Sequence, residues 1–236
     1  MSISRGVSRV LRLGVVLALL GLAATVVIAL RLSHGGTAAP QCLAKDGSEV
    51  FALDPGQAAN AATIAGVAAR QGLSDHAVSI ALATALQESK LRNISYGDRD
   101  SVGLFQQRPS QGWGPRQQLL DPQYAAAAFY ERLVKVAGWQ LMPVATAAQA
   151  VQHSADGSAY ASWDQSARVL ASALPGEVPH AFTCSFTARS RRYGSGLDAA
   201  LTASFGPAAL GPQPTTKRGW AVAATLVAQA AVFDVE

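Results

Sequence analysis

Hydrophobic and polar positions divide the chain into segments of distinct character. Leu13 to Leu30 is a run of eighteen uncharged, predominantly apolar residues. As a helix it spans about 27 Å at ~1.5 Å per residue, enough to cross a bilayer. From Asp54 the pattern becomes helical. Asp54-Pro55 supplies an N-cap and a proline at the first helical position, and Gly72 a stop, which predicts a helix over Pro55 to Gln71. Ser74 caps a second helix, about His76 to Leu91, so that the two make a helical hairpin. On the second helix Ala77, Val78, Ile80, Ala81, Leu82, Ala85, Leu86 and Leu91 sweep out one broad apolar arc, with His76, Ser79, Gln87 and Lys90 on the solvent side. Further helices are predicted over Gln123 to about Ala137, about Thr146 to Gln152, and Trp163 to Leu174. Strand-like alternation of Val, Ile and Thr is missing, so the pattern predicts a mainly α domain.

The 236 residues, 50% hydrophobic and 14% charged, suffice for one good-sized core. Arg5, Arg9, Arg12 and Arg31 flank the apolar run and account for the whole net charge of +4. The remainder is neutral, which leaves no electrostatic footprint for nucleic acid. Three arginines before the run and one after it orient the N-terminus to the cytoplasm and everything beyond Arg31 outward, a single-pass membrane protein. The alternative is a cleaved signal peptide ending in the small residues Thr37-Ala38-Ala39, which would make the domain secreted. Either way the domain is expected to be extracytoplasmic, where a disulfide is permitted. Cys42 and Cys184 are too few and too far apart for a zinc module and are expected to pair, joining the two ends of the domain. The expected organisation is a basic start, anchor and tether over 1–40, a domain over 41–188, a linker rich in Arg, Gly, Ala and Pro over 189–218, and an incomplete segment over 219–236. The last comprises an amphipathic helix from Gly219 to Ala230 and a strand start at Val232 to Val235, expected to be mobile or loosely docked.

Glu88 projects near the middle of the apolar arc although the same helix offers a polar face. Two readings are open. A carboxyl facing a core or cleft wall loses hydration, holds its proton at higher pH and can serve as a general acid. Alternatively Glu88 makes an i,i+4 ion pair with Arg92 and has no function beyond that. The following loop, Asn93 to Ser101, carries Gly97, Asp98, Arg99 and Asp100. Asp98-x-Asp100 with Gly103 has the start of a calcium loop, but the fifth position is Val102 and the twelfth Pro109, so no metal is expected. Asp100 is read as turn chemistry, its carboxylate bonding nearby amides. His34, His76, His153 and His180 show no ligand spacing.

Glu88-Ser89 ending a helix, then Gly97-Asp98-Arg99, then Gly103-Leu104-Phe105-Gln106 resembles the first two motifs of the soluble lytic transglycosylases and the goose-type lysozymes. The stretch also resembles a group of membrane-anchored actinobacterial proteins. The resemblance implies a lysozyme-like helical domain behind the anchor, acting on peptidoglycan between N-acetylmuramic acid and N-acetylglucosamine without a cofactor. It implies Glu88 as general acid and base, and Ser89, Tyr96, Asp98, Gln106 and Gln107 as substrate-contacting or supporting residues. In the transglycosylases the sugar's own N-acetyl group stabilises the developing positive charge and one carboxylate suffices. With Asp98 across a cleft, a goose-type hydrolysis using water becomes the alternative. Trp113 could stack on a sugar or plug the domain edge. Ala159-Tyr160 falls where the third transglycosylase motif stands, whose tyrosine contacts the glutamate and the substrate; the resemblance thus implies Tyr160 as a site residue, but the asparagine and glycine of that motif are missing. A rival expectation follows from this departure, a peptidoglycan-binding or scaffold protein that keeps the groove without turnover.

Overall fold

The computed structural model describes residues 39–153, 158–186, 196–206 and 215–233. The run Leu13 to Leu30 lies outside them; among the described residues no helix is long and apolar enough to cross a membrane. In chain order the elements are strands β1 (Gln41–Asp46) and β2 (Glu49–Leu53), helices α1 (Pro55–Arg70), α2 (Asp75–Ser89), α3 (Arg116–Leu119), α4 (Pro122–Leu133), α5 (Val144–Gln152), α6 (Ser158–Ala161) and α7 (Asp164–Ala173), strand β3 (Phe182–Ser185), and helices α8 (Leu197–Phe205) and α9 (Thr216–Gln229). The fold is mainly α, as the pattern predicts.

Helix α1 starts where its caps require. The Asp54 carboxylate accepts from the Gln57 amide at 2.8 Å while the Gln57 side chain accepts from the Asp54 amide at 2.9 Å, a reciprocal capping box ahead of Pro55. Its alanines, Ala58, Ala61, Ala62, Ala65 and Ala68, are buried and let neighbouring helices approach closely. Helix α2 is the central element, packed against α1, α4, α5 and α7. The solvent face expected for it is largely covered. Ser79 is buried and returns its hydroxyl to Asp75 O at 3.0 Å, Thr84 does the same to Ile80 O at 2.8 Å, and the His76 ring donates to Met142 O at 3.0 Å. A helix surrounded on all sides has few polar positions, and those it has bond back to its own backbone.

Although the pattern shows no strand-like alternation, a three-stranded antiparallel sheet, ordered β2-β1-β3, accompanies the helices. Its strands are short, and β1 finds one partner across a two-residue turn and the other more than a hundred residues away. Cys42 and Cys184 are register partners on β1 and β3 and form the expected disulfide. The bond pins both ends of the helical domain to one sheet.

The C-terminal region also departs from expectation. The stretch read as linker contains α8, and α8 and α9 both lie along α1 in the same compact unit. Ala224 and Ala228 are buried there, and the Gln229 amide donates to Ala59 O and to the Thr63 hydroxyl, both at 3.1 Å. Lys217 reaches Asp75 at 3.4 Å and also contacts Glu177. The expected loose tail is therefore a docked helix, because its small apolar face finds the alanine face of α1 rather than needing a core of its own. Of the stretch Val232 to Val235 expected to begin a strand, Val232 and Phe233 form a turn, and Asp234 and Val235 lie outside the described residues. Arg189, Arg191 and Arg192 lie outside the described residues.

Candidate active site

The C-terminal end of α2 is fixed by side chains from α1. Lys90 and Leu91 both adopt left-handed backbone, φ 56° and 58°, which is costly for side-chain-bearing residues and leaves helix-end carbonyls exposed. Gln57 donates to Lys90 O at 2.8 Å and Asn60 donates to Leu91 O at 2.8 Å, satisfying both. Arg92 is drawn onto Asp54 at 2.6 Å, the residue that caps α1. The side chain that the simple ion-pair reading assigns to Glu88 is thus engaged elsewhere.

Glu88 is partly buried and meets two other elements instead. The Tyr160 hydroxyl, on α6 and only 1% exposed, donates to Glu88 Oε1 at 2.6 Å. The Gln152 amide, at the end of α5, lies close enough to help pull the carboxyl's pKa down. Burial pushes the Glu88 carboxyl above its ordinary value, and the Tyr160 hydrogen bond, the Gln152 amide and the Lys90 charge pull back only in part. Lys90 itself lies over the Trp163 ring, 4.4 Å from its centroid, and the Trp163 indole donates to Gln87 Oε1 at 2.8 Å. The result is a carboxyl with a phenol and an amide on one side and an indole-ammonium pair close by, able to deliver and recover a proton.

Next to it runs a tight turn, closed by reciprocal backbone bonds between Val102 and Gln107 at 3.0 and 3.1 Å. Gly103 turns the chain at φ 77°, and a Cβ there would sit 2.4 Å from Leu119 O. Ser89 Oγ donates to Leu104 O at 2.7 Å and Gln152 Nε2 to Phe105 O at 2.7 Å, so residues beside Glu88 hold this turn. Phe105 stacks on Phe129 with ring centroids 4.8 Å apart.

The other candidates separate into distinct places. Gln106 donates to Tyr96 O at 3.3 Å and Gly103 O at 3.2 Å, and a Cβ on Gly97 would overlap its amide oxygen, which explains a glycine at that position. Gln107 is buried and donates to Ala125 O at 3.0 Å, so it braces the turn from inside rather than facing solvent. Trp113 is buried, with the Arg132 guanidinium 3.5 Å from its ring centroid. It plugs the domain edge. Tyr96 is 73% exposed. The Asp98 side chain is 90% exposed and lies 3.9 Å from Arg99. Asp100 does bond nearby groups: it accepts from Arg108 Nε at 2.8 Å, from Ser110 N at 2.7 Å and from Ser110 Oγ at 2.9 Å. The Arg108 guanidinium, with Ser110, holds its carboxyl well below the usual carboxylate range.

Sequence reasoning missed Gln152 beside Glu88 and Trp163 beside Gln87 and Lys90. Only the helix ends are visible in the sequence there, and no spacing links position 88 to positions 64 and 75 residues on. No protein-family model matches the chain, and no curated protein matches it.

Proposed function

We propose that this protein cleaves the glycan strand of peptidoglycan between N-acetylmuramic acid and N-acetylglucosamine, by the lytic transglycosylase reaction with Glu88 as the single general acid and base. The observation that carries the reading is the Glu88 carboxyl itself: partly buried, its pKa raised by that burial, and bonded by the Tyr160 hydroxyl at 2.6 Å rather than neutralised by a cation. In this mechanism the protonated Glu88 gives its proton to the glycosidic oxygen as the C1–O bond breaks. The neighbouring N-acetyl oxygen stabilises the electron-poor carbon. Glu88, now a carboxylate, takes the proton of the C6 hydroxyl, whose oxygen closes on C1 to form the anhydro sugar. No water and no second carboxylate enter. The exposed Asp98 beside Arg99 favours this route over the hydrolytic one, which needs a partner carboxylate aimed at the reacting carbon.

The setting is consistent with a wall substrate. The Cys42–Cys184 disulfide suits an oxidising compartment, and the run Leu13 to Leu30 suits an anchor that would hold the domain on the outer side of the membrane. The test is a mass-spectrometric analysis of purified peptidoglycan digested by the wild type and by Glu88→Gln. Anhydro-muropeptides from the wild type alone are expected. Reducing-end products would replace the transglycosylase with a hydrolase and bring Asp98 back, and wall binding with no products from either protein would leave a binding module.

A further inference from the structure

Two adjacent residues at the end of α2, Gln87 and Glu88, are each met by an aromatic side chain from one short stretch of chain. The Tyr160 hydroxyl donates to Glu88 Oε1 at 2.6 Å, and three residues further on the Trp163 indole donates to Gln87 Oε1 at 2.8 Å. The two aromatics are also joined through the backbone, where the Trp163 amide donates to Tyr160 O at 3.1 Å. Tyr160 belongs to α6, a single turn of four residues, and an isolated turn does not fix its own place. Trp163 stands immediately before α7, and the Ala167 amide donates to Trp163 O at 2.8 Å to open that helix. Helix α7 is held by packing: Ala167, Leu170 and Ala171 are buried, and the helix lies along α2. The Lys90 ammonium, 4.4 Å from the ring centroid, covers one face of the indole.

We propose that Trp163 is a positioning residue: through its bond to Gln87 it fixes α6 against the end of α2, and so keeps the Tyr160 hydroxyl on the Glu88 carboxyl while that carboxyl gives up and recovers a proton. This rests on Glu88 being the proton-transfer group, but not on the identity of the substrate. A phenol donates strongly to a carboxylate only over a narrow range of distance and direction. The Tyr160 ring is buried, yet apolar packing is non-directional and does not aim a hydroxyl. Successive residues of a helix are turned by ~100° about its axis, so bonds to Gln87 and Glu88 grip the end of α2 from two directions. Together they fix the rotation of the α6 turn as well as its distance. A phenol held in this way meets the carboxylate as its charge appears, without waiting for the turn to move.

The experiment uses the full chain with carbon-13 in its glutamate side chains, the Glu88 carboxyl resonance being assigned by its loss in Glu88→Gln. Trp163→Phe keeps an aromatic ring beneath Lys90 and removes the indole N–H. Gln87→Leu removes the acceptor of the same bond from the other side. Each is expected to raise the titration midpoint of Glu88, because a displaced phenol stabilises the carboxylate less. The double variant is expected to raise it no further than either alone, and in a Tyr160→Phe background neither substitution should move it. A midpoint unchanged in either single variant would overturn the proposal. So would shifts that add in the double variant, or a shift of the same size with and without the Tyr160 hydroxyl, since the indole would then act on the carboxyl by another route. Should one variant fail to fold, the other reads the same bond. None of these readouts involves a glycan, so absence of activity on peptidoglycan would sink the substrate reading alone. Where anhydro-muropeptides are formed, Trp163→Phe is expected to lower kcat several-fold with KM little changed, and to move the basic limb of the pH profile upward. A raised KM with kcat intact would make Trp163 a substrate contact and overturn the positioning role.

Discussion

Two carboxyl groups twelve residues apart in the chain, Glu88 and Asp100, sit in environments that act on them in opposite senses. Glu88 closes a buried helix and meets apolar walls, a phenol and an amide; burial dominates and its proton is held more tightly than usual. Asp100 lies in a loop and collects an arginine, a backbone amide and a hydroxyl, so its proton is lost more readily than usual. Both residues are acidic and both are well bonded. What separates them is whether a cation bonds the carboxyl: Arg108 bonds Asp100, whereas Arg92, the sequence neighbour of Glu88, is held by Asp54, and Lys90, over the Trp163 ring, acts on Glu88 through its charge alone. Opposed environments of this kind distinguish a group suited to proton transfer from one that ties a loop together.

Glu88→Gln should break the comparison most severely. Loss of a general acid is expected to lower the rate of anhydro-muropeptide formation by ~10²–10⁴-fold, read by product release from purified wall. The same substitution has a signature in stability. A carboxyl whose folded pKa is raised contributes stability that is fully present below the ordinary value of 4.5 and is lost as pH rises through the folded value. Glu88→Gln removes that loss, so its melting temperature at neutral pH should equal or exceed that of the wild type. A lower one would mean that Glu88 is a structural residue. Tyr160→Phe comes next, with a fall in rate on the order of tenfold, the kinetic equivalent of one charge-assisted hydrogen bond of about 1.5 kcal/mol. Asp98→Asn is expected to change the rate within about twofold, as for an exposed residue outside the reacting group. A loss rivalling that of Glu88→Gln would instead restore the two-carboxylate hydrolysis. Asp100→Asn should give the smallest effect and one confined to stability. Because the folded pKa of Asp100 is lowered, its contribution is present above 3.8 and disappears as pH falls through the lowered value. Acid unfolding curves of variant and wild type should therefore diverge at neutral pH and converge below that range.

Part of the site is legible in the sequence alone. Glu88 stands out because a charge on an apolar arc carries a desolvation cost that local structure does not explain, and the turn after it is visible in Gly103-Leu104-Phe105-Gln106. The acid pairs and caps that obey short-range rules are legible too: Asp54-Pro55 starts α1, and Asp100 bonds its loop. Gln152 and Trp163 are not, because side chains that meet across helices leave no spacing in the chain. Gln107 shows the converse error, since a glutamine beside a candidate site reads as a ligand group until its burial against Ala125 O is seen.

The sequence by itself determined the mainly helical class, the hairpin of α1 and α2, the pairing of Cys42 with Cys184 and the position of one misplaced carboxyl. Each follows from local periodicity, capping chemistry or the simple count of cysteines. Only the tertiary structure decided that β1 and β3 close a sheet, that α9 docks on the alanine face of α1, that Arg92 turns to Asp54, and that Gln152 and Trp163 close on the end of α2. Those outcomes depend on which surfaces and donors compete for one another once the chain is compact. That competition is settled by three-dimensional proximity, which a one-dimensional pattern does not contain.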